Sequence, residues 1–217
     1  MMKTKNPIIK SILILAVVSI LATLYFYNQL PTEVPIHFNY AGTPDGYGPR
    51  IFVFFTAALP ILMLGFLKVV PKLDPKGDAY VKHAKVYNIF IIFLIIMLLA
   101  LHWVTMSISL GVSLSINKIT PPLIGLLFIV IGNYMPQIKQ NYTFGIKLPW
   151  TYNDEDNWRA THRMGGYCYV LSGICFIISG FAPTGCVAFM SVIALGCLLL
   201  PMIYSYFYFR KHTVKKH

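Results

Sequence analysis

Long apolar runs separated by short polar segments set the pattern of this chain. A helix needs about 20 predominantly apolar residues to cross a hydrocarbon core, and by that measure six runs are candidate spans: 8–27, 51–70, 87–106, 119–135, 167–182 and 186–207. The fourth and fifth are the shortest. The pattern predicts an all-α fold, a polytopic membrane helical bundle of six transmembrane helices. Two connections are too rich in aromatic and polar residues to be plain linkers. One is 29–50, where Val34, Ile36, Phe38 and Tyr40 alternate with His37 and Asn39 while Pro31, Pro35 and Pro44 oppose helix, so the chain should be extended there. Pro44-Asp45-Gly46 then predicts a turn, because Pro fixes φ, Asp bonds its own backbone and Gly accepts positive φ. The other is the stretch from Gly132 to Gly166, GNYMPQIKQNYTFGIKLPWTYNDEDNWRATHRMGG.

Composition supports a bilayer protein: 57% of residues are hydrophobic and only 12% are charged. With the first span running in to out, every Lys and Arg except Arg50 and Lys118 falls on one side, including Lys3, Lys5, Lys215 and Lys216 at the termini. That asymmetry predicts an even number of spans, both termini cytoplasmic, and 136–166 as a cytoplasmic loop. The net charge of +11 therefore reflects topology and contact with anionic lipid rather than nucleic-acid binding. The first apolar run is span-length with no small-residue cleavage site before Pro31, so it reads as an anchor rather than a cleaved signal. Cys168, Cys175, Cys186 and Cys197 match no metal-ligand spacing and read as packing residues.

The organisation that follows is a two-span N-terminal module with an ordered outer loop (1–70), a third span with its connectors (71–118), and a C-terminal region (119–217). The segment 71–85 reads as a simple basic connector whose second half, from Asp78, begins the third helix. Ala182 to Gly185 is a tight hairpin that makes the last two spans antiparallel neighbours. In the polar stretch, Asn153 is a good N-cap, with Asp154, Glu155 and Asp156 in the first turn. The helix it starts carries Trp158 and His162 on one face and Arg159 and Arg163 on the next, and Gly165-Gly166 would let it bend into the fifth span. Upstream, 133–149 is irregular, yet too aromatic for disorder.

The same string resembles the signature of SdpI-type bacterial immunity proteins, G-N-x-x-P-x-I-K-x-N-x-x-x-G-I-[KR]-x-P-W-T followed by W-x-x-T-H-R-x-G-G. It matches without departure at Gly132, Asn133, Pro136, Ile138, Lys139, Asn141, Gly145, Ile146, Lys147, Pro149, Trp150, Thr151, Trp158, Thr161, His162, Arg163, Gly165 and Gly166. LPTEVPIHFNYAGTPDGYG is similar to a small module of unknown role that often precedes that signature, and Tyr87-Asn88 and His102 also look like the family. The resemblance implies a multi-pass protein of the bacterial cytoplasmic membrane that protects its cell from a secreted toxic peptide. In some members it also implies holding a transcriptional repressor at the membrane.

Three function classes remain open. A binding and signalling protein would use His37, Asn39 and Asp45 outside, and Asn133, Pro136, Lys139, Asn141, Gly145, Lys147, Pro149, Trp150, Thr151, Trp158, Thr161, His162 and Arg163 inside. A small transporter or exporter is disfavoured because ionisable groups are nearly absent from the apolar runs, His102 excepted. A membrane enzyme, using Glu33, His37, Asp45 and His102 outside or His83 and His162 near Asp154 to Asp156 inside, is the weakest reading, for no recognised catalytic spacing is present. No cofactor or metal is expected. For each lone His an interface or hydrogen-bonding role is the plainer account.

Overall fold

The computed structural model describes residues 7–39 and 41–213, so the expectations placed on Lys3, Lys5, Tyr40, Lys215 and Lys216 lie outside the described residues. The chain forms helices α1 (Pro7–Phe26), α2 (Phe52–Leu73), α3 (Ala79–Lys82), α4 (Ala84–Ser109), α5 (Ile116–Tyr134), α6 (Pro149–Asn153), α7 (Glu155–Ser179) and α8 (Thr184–Thr213). Strands β1 (Glu33–Phe38) and β2 (Pro44–Pro49) make a single hairpin between α1 and α2. The fold is therefore essentially all-α.

Among the described residues, five segments are long and apolar enough to cross a membrane: Pro7–Gln29, Phe52–Leu73, Ala84–Ser109, Ile116–Gln137 and Gly185–His212. The expected fifth span is instead the second half of α7, continuous with the expected surface helix. α7 runs through Gly165 and Gly166 without interruption. Its charged first half dilutes the apolar second half, which packs between α5 and α8.

What joins α5 to α7 is glycine. Gly132 faces Gly166, and a Cβ on either would lie 2.7 or 2.9 Å from the other's carbonyl oxygen. Two helical turns away Gly125 faces Gly173 in the same reciprocal way, and Gly180 lies against Pro122 and the Lys118 carbonyl. The two antiparallel backbones thus approach closely over the length of the pair, as small residues permit where helix association depends on van der Waals contact rather than on water release.

In the N-terminal half, Ile12, Ala16, Leu64, Leu67, Tyr87, Ile91, Ile95 and Leu99 form a core from α1, α2 and α4. Polar pins lock the same helices: His102 reaches Thr23 through Nε2 and Thr56 through Nδ1, each at 2.9 Å, and Trp103 Nε1 donates to Ser19 Oγ at 2.9 Å. His102 thus has the hydrogen-bonding role expected of a lone buried His. Cys168 and Cys197 are buried packing residues, whereas Cys186 is exposed.

The 29–50 segment is ordered, with one correction. Its turn is built by Asn39, whose Oδ1 accepts from the Ala41 and Thr43 amides, and by Gly42 at φ +79°, while Pro44, Asp45 and Gly46 belong to β2. An Asx turn nucleated by Asn39 took precedence over the Pro-Asp-Gly signal. The expected alternation also fails, because register shifts at His37 leave Val34 and Pro35 buried and Ile36 exposed. Val34 and Leu30 root the hairpin on Val53 and Met106, and Asn117 of α5 donates to Ala41 O at 3.0 Å.

Replacing Gly132 by Val should force α5 and α7 apart and cost roughly 2–4 kcal/mol. Gly196, beside which a Cβ meets nothing, should accept Ala with unchanged or higher stability. Thermal unfolding of the detergent-solubilised variants measures both.

Candidate functional site

Pro136 opens a 3-10 turn, Met135–Gln137, at the end of α5, and from Ile138 to Leu148 the chain has no regular element. Its main-chain groups must then be satisfied by side chains. Asn141, fully buried, does this in all four directions: Nδ2 donates to Lys139 O and Phe144 O at 2.8 Å each, and Oδ1 accepts from the amides of Thr143 and Phe144. Thr151 Oγ1 accepts from the Leu148 amide at 2.9 Å, stapling the loop to the first turn of α6. Gln140 Nε2 donates to Thr151 O and Tyr152 O.

The loop is seated on the buried face of α7. Trp158 Nε1 donates to Ile138 O at 2.9 Å, and the indole stacks on His162 with centroids 4.1 Å apart. His162 Nε2 accepts from the Ile146 amide at 3.1 Å while Nδ1 lies 2.8 Å from Trp158 O. A carbonyl needs a donor and an amide needs an acceptor, so these partners fix the neutral Nδ1–H tautomer. Gly145, at φ +119°, passes directly over this ring; a Cβ there would overlap Nε2. Burial holds His162 well below its ordinary value, to about 4, against the opposing pull of the Trp158 carbonyl.

A second tie comes from 74–83, which is not the simple connector expected. Asp74, 6% exposed, accepts from the Lys76 amide through Oδ1 and from the Tyr142 amide and Thr143 hydroxyl through Oδ2. Tyr80 bonds Thr143 Oγ1, Lys76 Nζ donates to Gln140 Oε1, and burial raises the Tyr80 phenol. His83 accepts from the Lys139 amide at 3.2 Å, and burial, then the Lys139 charge, lower it to about 4. His83 and His162 therefore each serve the loop backbone and do not converge on Asp154 to Asp156.

A third tie reaches α8. Trp150 Nε1 donates to Ser205 Oγ at 2.7 Å and its ring stacks on Phe209; Asn157 Nδ2 donates to Ser205 O, and Ser205 and Thr161 hydroxyls both donate to Asn157 Oδ1. The N-cap of α7 is Asp154, not Asn153: its carboxylate accepts from the Asp156 and Asn157 amides, while Asn153 closes α6. Pro149 at the start of α6 created that extra short helix and moved the cap by one residue.

The candidates named from sequence thus divide. Asn141, Thr151, Trp158, Thr161 and His162 are buried and Gly145 is half-buried; they build the cap. Asn133, Pro136, Lys139, Lys147, Pro149 and Arg163 are exposed, with Trp150 half-buried. In the hairpin, His37 Nδ1 and Asp45 Oδ1 pair across the strands at 2.5 Å, and both are open to solvent; Asn39 serves the turn. Sequence reasoning missed Asp74, Tyr80, Gln140 and Ser205. A lone carboxylate at the end of a span was the available signal for Asp74.

Residues 137–205 match the SdpI/YfhL protein family, and residues 14–64 match a domain of unknown function, DUF1648. Over this C-terminal region the chain is similar to the SdpI/YfhL family. It is similar to the Immunity protein SdpI of Bacillus subtilis (strain 168), with 29% identity over 204 residues, 92% of this chain and 94% of that protein. No solved structure matches. The SdpI region begins inside the 3-10 turn and takes in the loop, α6, α7 and most of α8, so it holds the cap and the α7 face that seats it, while the Asp74 to His83 tie lies outside it. With five span-length apolar helices and this relationship, the chain is a multi-pass membrane protein.

Both rings have folded-state values near 4, below the ordinary 6.5, so the unfolded chain takes up protons first as pH falls. The stability they confer is full above about pH 6.5, is lost as pH drops toward 4 and levels off below that, by at most about 3 kcal/mol per ring. Unfolding followed by Trp fluorescence should show this loss, and His162→Gln should remove about half of it.

Proposed function

We propose that this protein is a membrane immunity protein that protects its cell from a secreted toxic peptide. The observation that carries the reading is similarity to Immunity protein SdpI that runs almost end to end in both chains, rather than through one shared module. The relationship is to an immunity protein family and not to an enzyme family.

The finer part of the proposal divides the work between the ends of the bundle. The hairpin, with His37 and Asp45 presented to solvent, is the surface for the toxic peptide; Asn39 shapes the turn beside them. The cap is the surface for an intracellular partner, such as a repressor held at the membrane, through exposed Asn133, Pro136, Lys139, Lys147, Pro149 and Arg163 and the edge of Trp150. Buried Asn141, Gly145, Thr151, Trp158, Thr161 and His162 hold that surface in shape. Coupling between the ends requires the peptide to bind one arrangement of the bundle better than another. The Asn117–Ala41 bond is a route for it, since it ties the hairpin to α5, whose other end opens the cap.

Expression in a sensitive bacterium should raise survival against the cognate peptide, with the peptide retained on cells. Energy-dependent appearance of the peptide in the medium would favour a small exporter instead. Unchanged killing with fully inserted protein would remove the immunity reading. His37→Ala with Asp45→Ala should reduce protection at least tenfold without lowering the amount in the membrane.

A further inference from the structure

Beside the cap, a cleft of about 340 Å³ opens between the end of α5, the first half of α7 and the end of α8, lined by Pro136, Lys139, Asp156, Arg159, Arg163 and Tyr208. Its cations are unequal. Arg159 is neutralised by Glu155 at 2.7 Å and by Asp156 at 3.8 Å. The side chains of Lys139 and Arg163 have no carboxylate partner among the described residues, and both are exposed. Two unpaired cations, a fork of guanidinium donors and a nearby phenol make a site for an oxyanion with several acceptor oxygens.

The surface below the cleft says what the anion is attached to. Arg159 and Arg163 continue along one face of α7 into Tyr167, Leu171, Ile174 and Ile178, at three- and four-residue steps. These four are 72%, 52%, 43% and 47% exposed, an open apolar stripe with the cationic cleft at its head. On α8 the Tyr208 wall leads in the same direction to Tyr204 and Leu200, both exposed. Cationic head and apolar track match an amphiphile, and Arg163 stands one helical turn from the start of the apolar half of α7, the depth of the headgroup layer.

We infer that this cleft is a binding site for an anionic phospholipid, its phosphodiester held by Arg163 and Lys139 and its acyl chain laid along the α7 stripe. Arg159, tied to two carboxylates, sets the rim and contributes less. An acidic segment of a protein would satisfy the cations but leave the stripe unused.

Native mass spectrometry of the full chain in detergent, titrated separately with phosphatidylglycerol, phosphatidylcholine and inorganic phosphate, tests this. Phosphatidylglycerol should bind at least tenfold more tightly than phosphatidylcholine, and inorganic phosphate should fail to displace it at equal concentration. Arg163→Gln and Lys139→Gln should each weaken the lipid about fivefold, while Lys72→Gln, exposed but outside the cleft, should not. Equal affinity for the two lipids, equal loss in the Lys72 variant, or complete displacement by phosphate overturns the inference. So does a poly-glutamate peptide that binds where phosphatidylglycerol shows no preference. The wild-type comparison of lipids decides the question even where a variant is poorly folded.

Discussion

The close contact of α5 and α7 is the constraint from which the rest of the C-terminal region follows. Where Gly132 meets Gly166 and Gly125 meets Gly173, the helices approach until each backbone touches the other. Only at such a separation can a chain leaving α5 at Pro136 fold straight back onto α7 and place the Ile138 carbonyl on Trp158 and the Ile146 amide on His162. Bulkier residues at the glycines would lift the loop off its seat and leave buried polar atoms without partners, a cost of about 1–3 kcal/mol for each.

That cost explains the composition of the cap. A segment without helix or sheet exposes its main chain, and near a membrane there is little room for water to answer it. Asn141 closes the 139–144 turn, Asp74 reaches across from the end of α2 to bond the Tyr142 amide and the Thr143 hydroxyl, and His162 completes the far side. Three parts of the chain distant in sequence thus supply side chains that take the place of secondary structure. The cap is consequently fastened to both halves of the bundle, and movement of α2 or α8 would be felt in it.

Much of this was legible in the sequence, and what was not has identifiable causes. Apolar run length found the spans, because satisfying the backbone in a bilayer leaves helix as the simple solution. The aromatic, proline-bearing 29–50 segment announced an ordered loop, but local turn rules ranked Pro44-Asp45-Gly46 above Asn39, and only pairing of the two strands decides between them. A Gly-Gly pair in a helical stretch suggests a bend, yet Gly165 and Gly166 serve as contact points, against Met135 and Gly132. Asp74 offered only its being a lone carboxylate at the end of a span, and Gln140 and Ser205 carried no local signal, since the contacts that tie them to other parts of the chain, to Lys76 and to Trp150, lie 64 and 55 residues away in sequence.

The recognition string also changes meaning once it is seen folded. Asn141, Thr151, Trp158, Thr161 and His162 are its most distinctive letters, and all are buried. Motif residues of this kind specify a shape. Two proteins that share them share a cap, and need not share what the cap touches. Specificity would then rest with the side chains of Lys139, Lys147 and Arg163, which the solvent reaches and which make no hydrogen bond among the described residues beyond the Lys147 contact to Thr143 O. A relative that keeps the buried letters while exchanging these cations would keep the architecture and change its partner or its lipid, which is why the site has to be argued from the exposed residues and the fold from the buried ones.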